Sequence, residues 1–459
     1  MTLVLIQLVV VLAMIFVGAR KGGIALGIYG MVGVAILVFG FGLRPGKLPI
    51  DVMLIIVSVI TAAASLQAAG GLDYLVSIAA KFLRNHPDKI TYYGPLVTWF
   101  FCLVAGTAHT CYSLLPIISE IATARKIRPE RPLSVATVAA SLGITGSPVS
   151  AATAALISTE LLGARGIELG DILLICVPSS FVAILVASFV QNRVGRELDD
   201  DPEYQRRVAD GTINPERDAR LLDDMQAHPN PRAKWSVVVF LIAVLLVVVF
   251  GSVPELRPAF EVMGADGQPL LAADGTVTIE RVPMSEIIEI VMMAAAAFIL
   301  LAGKADVKEA AKGSVFAAGM NAMVGIFGIA WMGDTYFNGN LDFYQTHIAG
   351  LVTQYPVLFA AALFVMSIML FSQAATVRTM YPLGIGLGLS PLALVAMFPA
   401  VNGYFFFPNY PTEVAAINFD RTGSTRVGRW VINHSFQLSG FITTIVSIVL
   451  GYAIVAVCY

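Results

Sequence analysis

Four short polar interruptions in otherwise apolar runs hold residue types suited to an anion. They are Gly106-Thr107-Ala108-His109-Thr110, Gly146-Ser147-Pro148-Val149-Ser150, Ser372-Gln373-Ala374-Ala375-Thr376 and Phe407-Pro408-Asn409-Tyr410-Pro411-Thr412-Glu413. Each offers hydroxyls, amides or an imidazole, with backbone groups that Gly, Ser or Pro releases from regular helix. A half-helix that starts at such a break inside a bilayer aims free N–H groups and about half a unit of positive charge inward. Two such ends facing each other suit a small molecule with two carboxylates. The candidate substrate contacts are therefore Thr107, His109, Thr110, Ser147, Ser150, Ser372, Gln373, Thr376, Asn409 and Thr412.

Arg378 joins them as the single basic residue placed inside the membrane. A charge there is functional by default, and a guanidinium can grip a carboxylate with two hydrogen bonds. A structural role would pair it with Glu413 or Asp334. Glu413 is the candidate for coupling a cation or balancing charge. Glu160, Glu289 and Asp171 read as structural residues near span ends, and Asp420 and Arg421 as loop pins. Any one break has a plainer explanation in close helix packing or a kink. Four at related positions argue for one shared cavity, because irregular backbone at membrane depth must be buried in protein or line a cavity.

The elements that must position these breaks are membrane helices. Hydrophobic residues make up 57% of the 459 and charged ones 13%, against about 25% charged in soluble domains. Runs 3–17, 24–41, 237–250, 287–301 and 441–457 are apolar and nearly uncharged; spanning as a helix takes about 20 such residues. The first run is read as a retained span and not a signal peptide, since no basic region precedes it and another apolar helix follows. Segments 91–123 and 356–390 are expected to turn back as re-entrant hairpins. Segments 133–162 and 389–417 are expected to be broken spans.

The second half faintly repeats the first. Asp73 and Pro87 reappear as Asp342 and Pro356; Ala108, Thr110 and Pro116 reappear as Ala374, Thr376 and Pro382. The expected fold is an all-α polytopic membrane protein of two inverted-topology repeats, about ten transmembrane helices plus two re-entrant hairpins and broken helices. Its parts are repeat 1–191, a cytoplasmic polar linker 192–234, and repeat 235–459 with an extracytoplasmic loop at 252–283. Such duplication is common in secondary transporters.

Charge sets the orientation. With the chain starting outside, 23 of the 29 Lys and Arg residues fall in inside loops and five outside (Arg44, Lys47, Arg165, Arg257, Arg281), as the positive-inside rule demands. The linker mixes acidic and basic residues, so it reads as a solvated connector and not a nucleic-acid patch. Cys102, Cys111, Cys176 and Cys458 lack metal-ligand spacing. No His-x-x-His, His-Glu-x-x-His, Gly-x-Ser-x-Gly or Gly-x-x-x-x-Gly-Lys-Ser/Thr motif occurs. An enzyme, a primary pump and a cofactor are not expected, and transport energy must come from gradients or exchange.

Several motifs together resemble one family, the Dcu family of bacterial anaerobic four-carbon dicarboxylate transporters. They are Gly106-Thr107-Ala108-His109 with Leu115-Pro116, Arg128-Pro129-Glu130-Arg131-Pro132, Ser147-Pro148-Val149-Ser150, Ser372-Gln373-Ala374-Ala375, Phe419-Asp420-Arg421-Thr422-Gly423 and Ile432-Asn433-His434-Ser435-Phe436. The resemblance covers essentially the whole chain. It departs at Ala108, where Gly is usual, and Asn409, where Thr is usual. It implies a multi-pass protein of the bacterial inner membrane that exchanges or takes up fumarate, malate, succinate and aspartate, with succinate leaving. The alternative is a sodium- or proton-coupled symporter of another small organic anion. The coupling ion (sodium or a proton) and a homo-oligomeric state stay open. By analogy with elevator-type transporters, hairpins and broken spans are expected to move past a frame made of the uninterrupted first three spans of each half.

Overall fold

The computed structural model describes the chain apart from residues 1, 22–23, 49, 159, 214–231, 264–267, 271–276, 371, 408–409 and 428–432. Helices dominate. The first half runs α1 (Thr2–Lys21), α2 (Ala25–Ala35, prolonged by a π-helical turn at Ile36–Gly40), α3 (Ile50–Ala68) and α4 (Gly71–Asn85). It continues through α5 (Ile90–Ala105), α6 (Cys111–Ala124), α7 (Glu130–Thr145), α8 (Ala151–Leu156) and α9 (Leu169–Gln191). A short α10 (Pro202–Ala209) lies in the linker.

The second half begins with α11 (Ala233–Ser252) and α12 (Met284–Gly303), then a one-and-a-half-turn α13 (Val307–Lys312) and α14 (Ser314–Gly339). There follow α15 (Leu341–His347), α16 (Ala349–Gln354), α17 (Val357–Leu370) and α18 (Gln373–Gly386). It closes with α19 (Pro391–Ala396, leading into a 3-10 stretch at Phe398–Phe406), α20 (Pro411–Phe419) and α21 (Gln437–Cys458). Between α11 and α12, β1 (Ala259–Glu261) pairs antiparallel with β2 (Ile279–Arg281), Phe260 opposite Glu280.

The contacts between the two halves come in matched pairs. Helix α2 packs on α14 and α12 on α3; α8 packs on α18 and α20 on α6. Each half thus supplies the other's packing partners. The α2–α14 crossing brings backbone against backbone. A Cβ on Gly27 would lie 1.9 Å from the Val324 carbonyl oxygen, and one on Gly328 1.9 Å from that of Gly27. Small residues give membrane helices this close approach, where apolar burial against lipid supplies little drive. Leu241, Ile242 and Leu245 of α11 and Ile445 and Val449 of α21 are exposed, as helices facing acyl chains require.

Among the described residues, α9, α11, α12, α14 and α21 are each long and apolar enough to cross a membrane, and two bent pairs raise the number to seven. The rest of the expected spans fall on shorter apolar helices such as Thr2–Gly18 and Ala25–Gly40. The early spans are less plain than the sequence suggests. Helix α2 carries its π-helical turn, and α3 and α4 meet at 71° across Gly70.

Candidate functional site

The first hairpin turns between α5 and α6. Gly106 closes α5 in the left-handed region (φ 67°), and a Cβ there would sit 2.6 Å from the Val149 carbonyl oxygen. Its tip therefore presses on the break of the first broken span. Thr110 Oγ1 donates to the Thr107 carbonyl at 3.2 Å and lies 3.1 Å from Cys102 Sγ. The His109 side chain lies outside the described residues. In the neighbouring break, Ser147 Oγ accepts from the Val149 amide at 3.3 Å. Ser150 caps α8 by accepting from the Thr153 amide at 3.1 Å. Both serines are fully buried and spend their hydroxyls locally.

The second hairpin turns at Ser372, whose hydroxyl caps α18 by accepting from the Ala375 amide at 3.2 Å. Thr376 Oγ1 donates to the Ser372 carbonyl at 2.8 Å. Gln373 reaches further. Its Nε2 donates to the Ser141 carbonyl of α7 at 2.7 Å and to Asn402 Oδ1. Its Oε1 is buried with no hydrogen-bond partner among the described residues. Asn402 sits at the kink of the 3-10 stretch (φ −105°, ψ 28°). A lone amide in the apolar run 398–407 was the available signal for it, and sequence reasoning passed over it.

In the second broken span, Thr412 Oγ1 donates to Glu413 Oε2 at 2.8 Å, and both residues are 1% exposed. Their helix packs on α6, and the nearby Tyr404 and Tyr410 rings stack at 4.8 Å. No ion pair to Glu413 occurs among the described residues. A carboxylate in the first turn of α20 also occupies the positive end of that helix. Asn409 lies outside the described residues.

Arg378 is buried and bonds Glu160, which follows α8, and not Glu413 or Asp334. Asp334 accepts instead from the Lys47 amide at 2.6 Å. Glu160 thus has a specific role that its place near a span end did not reveal. Asp420 binds its own loop, accepting from the Thr422 and Thr425 amides at 2.8 and 2.6 Å, as a loop pin does.

The breaks meet pairwise: first tip against Val149, second tip against Ser141 and Asn402, Glu413 against the start of α6. A cavity of about 270 Å³ opens between α3, α4, α11 and α14 on one side and the first tip on the other, lined by Thr110, Tyr112 and Ser113 with Gln67, Ser314 and Phe240. Its wall is mostly apolar. Ser147, Ser150, Gln373, Arg378 and Thr412 do not line it.

The model of the family described as anaerobic C4-dicarboxylate membrane transporter matches residues 3–459. The C4-dicarboxylate transporter DcuA of Wolinella succinogenes is 38% identical over 448 residues, covering 98% of both chains. The anaerobic C4-dicarboxylate transporter DcuB of Escherichia coli O6:H1 is 39% identical over 462 residues, again covering 98% of both. Among solved structures, the YdaH transporter of Alcanivorax borkumensis matches with a TM-score of 0.58 at 14% identity, covering 94% of this chain and 88% of that one. That likeness concerns the fold.

Proposed function

This chain belongs to the anaerobic C4-dicarboxylate membrane transporter family, multi-pass proteins of the bacterial inner membrane, and on that premise we propose that it exchanges four-carbon dicarboxylates. Fumarate, malate, succinate and aspartate are the substrates, with fumarate/succinate antiport the main mode. The observation that carries the reading is Gln373 at the second hairpin tip, which reaches both broken spans and keeps one buried acceptor unused.

At the two tips, the N-terminus of α6 in the first repeat and of α18 in the second supply amide donors of the kind a carboxylate takes up. Thr107, His109, Thr110 and Ser147, Ser150 in the first repeat, and Ser372, Gln373, Thr376, Asn409 and Thr412 in the second, are the proposed contacts. Arg378 takes one carboxylate when it leaves Glu160. The cavity beside Thr110 is the space into which the first tip releases its load. The hairpins and broken spans move together past α1–α3, α11, α12 and α14, so that each crossing carries substrate.

One observation favours a coupled mode as a second reading. Glu413 is buried with Thr412 as its hydrogen-bond donor and without a cationic partner among the described residues. An isolated carboxylate at that depth is costly unless neutralised, so a proton or sodium ion would accompany it. Counterflow in proteoliposomes tests both readings. Saturating external succinate should accelerate efflux of preloaded labelled fumarate without any ion gradient. Efflux indifferent to external dicarboxylate, with uptake driven by a proton or sodium gradient, would replace exchange by symport.

A further inference from the structure

The first part of the linker is not a free connector. Leu198, Tyr204 and Ile213 form a small buried core of their own. Asp201 caps α10 by accepting from the Glu203 and Tyr204 amides at 2.9 and 3.2 Å, and the same carboxylate binds Arg128 just before α7. Arg128 also bonds Glu130, and its side chain is only 5% exposed. Arg131 of α7 donates to the Val194 carbonyl and to Glu197, both at 2.9 Å. On the other side, Arg207 donates to the Arg421 carbonyl at 2.8 Å and Arg421 to the Thr212 carbonyl at 3.1 Å. Glu130 closes the circuit. Its amide donates to Ser424 Oγ at 3.0 Å and its carboxylate accepts from Ser435 at 2.6 Å.

We propose that residues 196–213 are a clasp that fastens the cytoplasmic ends of the two broken-span halves into one body, with Arg128 and Asp201 as its positioning pair. The anchors lie on α7, from the first half, and on the loop after α20, from the second. Those are the parts the transport reading sets in motion, and the clasp's purpose rests on that reading. A charge pair this buried, tied to a helix cap and a local core, is a lasting joint; removing one partner strands the other without solvent. The clasp keeps both halves in register while they travel, so that neither hairpin arrives at either face alone.

Two measurements decide it. A Thr212→Cys/Arg421→Cys pair in a Cys458→Ser background, bridged by a short bismaleimide, should show no loss of labelled fumarate counterflow, because both sites ride on one body. Loss of counterflow on bridging would instead make the segment a lid over the 210 Å³ cavity lined by Ile213, Ser119 and Arg421, and would overturn the clasp. In purified protein, Arg128→Ala and Asp201→Ala should each lower the melting temperature, and the double variant should lose less than the sum of the two, the cap of α10 accounting for what Asp201→Ala adds. Additive losses would overturn the pairing. Arg128→Ala should also cut turnover while leaving the apparent affinity for fumarate unchanged; an affinity loss alone would contradict a positioning role. A protein that exchanges no dicarboxylate yet shows the coupled melting keeps the clasp and refutes the transport reading.

Discussion

Gln373 and Asn402 share a hydrogen bond at the point where the second hairpin meets the kinked span, and the same carboxamide nitrogen reaches the Ser141 carbonyl at 2.7 Å. One side chain thus joins both repeats. Gln373→Ala removes two acceptors' partners in a buried site, which costs about 1–3 kcal/mol for each group left unsatisfied. We expect that variant to reach the membrane but lose at least fivefold in exchange rate, on the order of 1 kcal/mol in the barrier. A transport assay giving the parental rate at equal expression would remove Gln373 from the site.

The Arg378–Glu160 pair separates two roles. Losing a charge-assisted bond to substrate costs on the order of 2–5 kcal/mol, so Arg378→Ala should weaken dicarboxylate affinity at least tenfold. Glu160→Gln frees the guanidinium from its rival and should leave affinity equal or tighter. If both variants instead lower thermal stability and neither changes affinity, the pair is structural.

Orientation is open to thiol labelling. Cys458 at the end of α21 is exposed, whereas Cys102, Cys111 and Cys176 are buried. With both termini outside, an impermeant maleimide should label Cys458 in intact spheroplasts. Asp210→Cys in a Cys458→Ser background should react only after the membrane is opened. Labelling of the linker from outside would reverse the topology.

Linker docking also has a pH signature. Arg206 and Arg207 hold the half-buried Glu203 at about 2. Asp201 is also lowered: burial pushes it up, but the Arg128 hydrogen bond and the amides of its cap outweigh that. Both groups lie below their ordinary values, so their contribution is complete above the unfolded carboxylate range of about 4 and fades as pH falls through the folded values. Hydrogen exchange in 197–213, corrected for intrinsic rates, should be flat from about pH 8 to 5 and rise below about 4. A rise already near neutrality would show that other groups hold the segment.

The breaks were legible because Gly, Ser and Pro interrupt apolar runs abruptly, and the residues matched between the two halves do local work. Asp73 and Asp342 each fall in the first turn of a helix, α4 and α15. Pro87 and Pro356 each precede a hairpin arm. Contacts between distant segments left no such trace. Glu160 meets Arg378 across 218 positions, and no local pattern joins them. The linker's mixed charges read as solvated because nothing in the order of residues 196–213 says that Arg128 is waiting for Asp201.

The exchange of packing partners between the halves reaches into biosynthesis. When α2 leaves the translocon, the surface that Gly27 and Gly30 are cut to fit has not been made; it arrives with α14, some 300 residues later. The nascent first half must therefore wait in the bilayer with its glycine face against lipid. Each half takes part of its packing from the other. A chain halted in the linker would keep an open seam on α2 where α14 belongs.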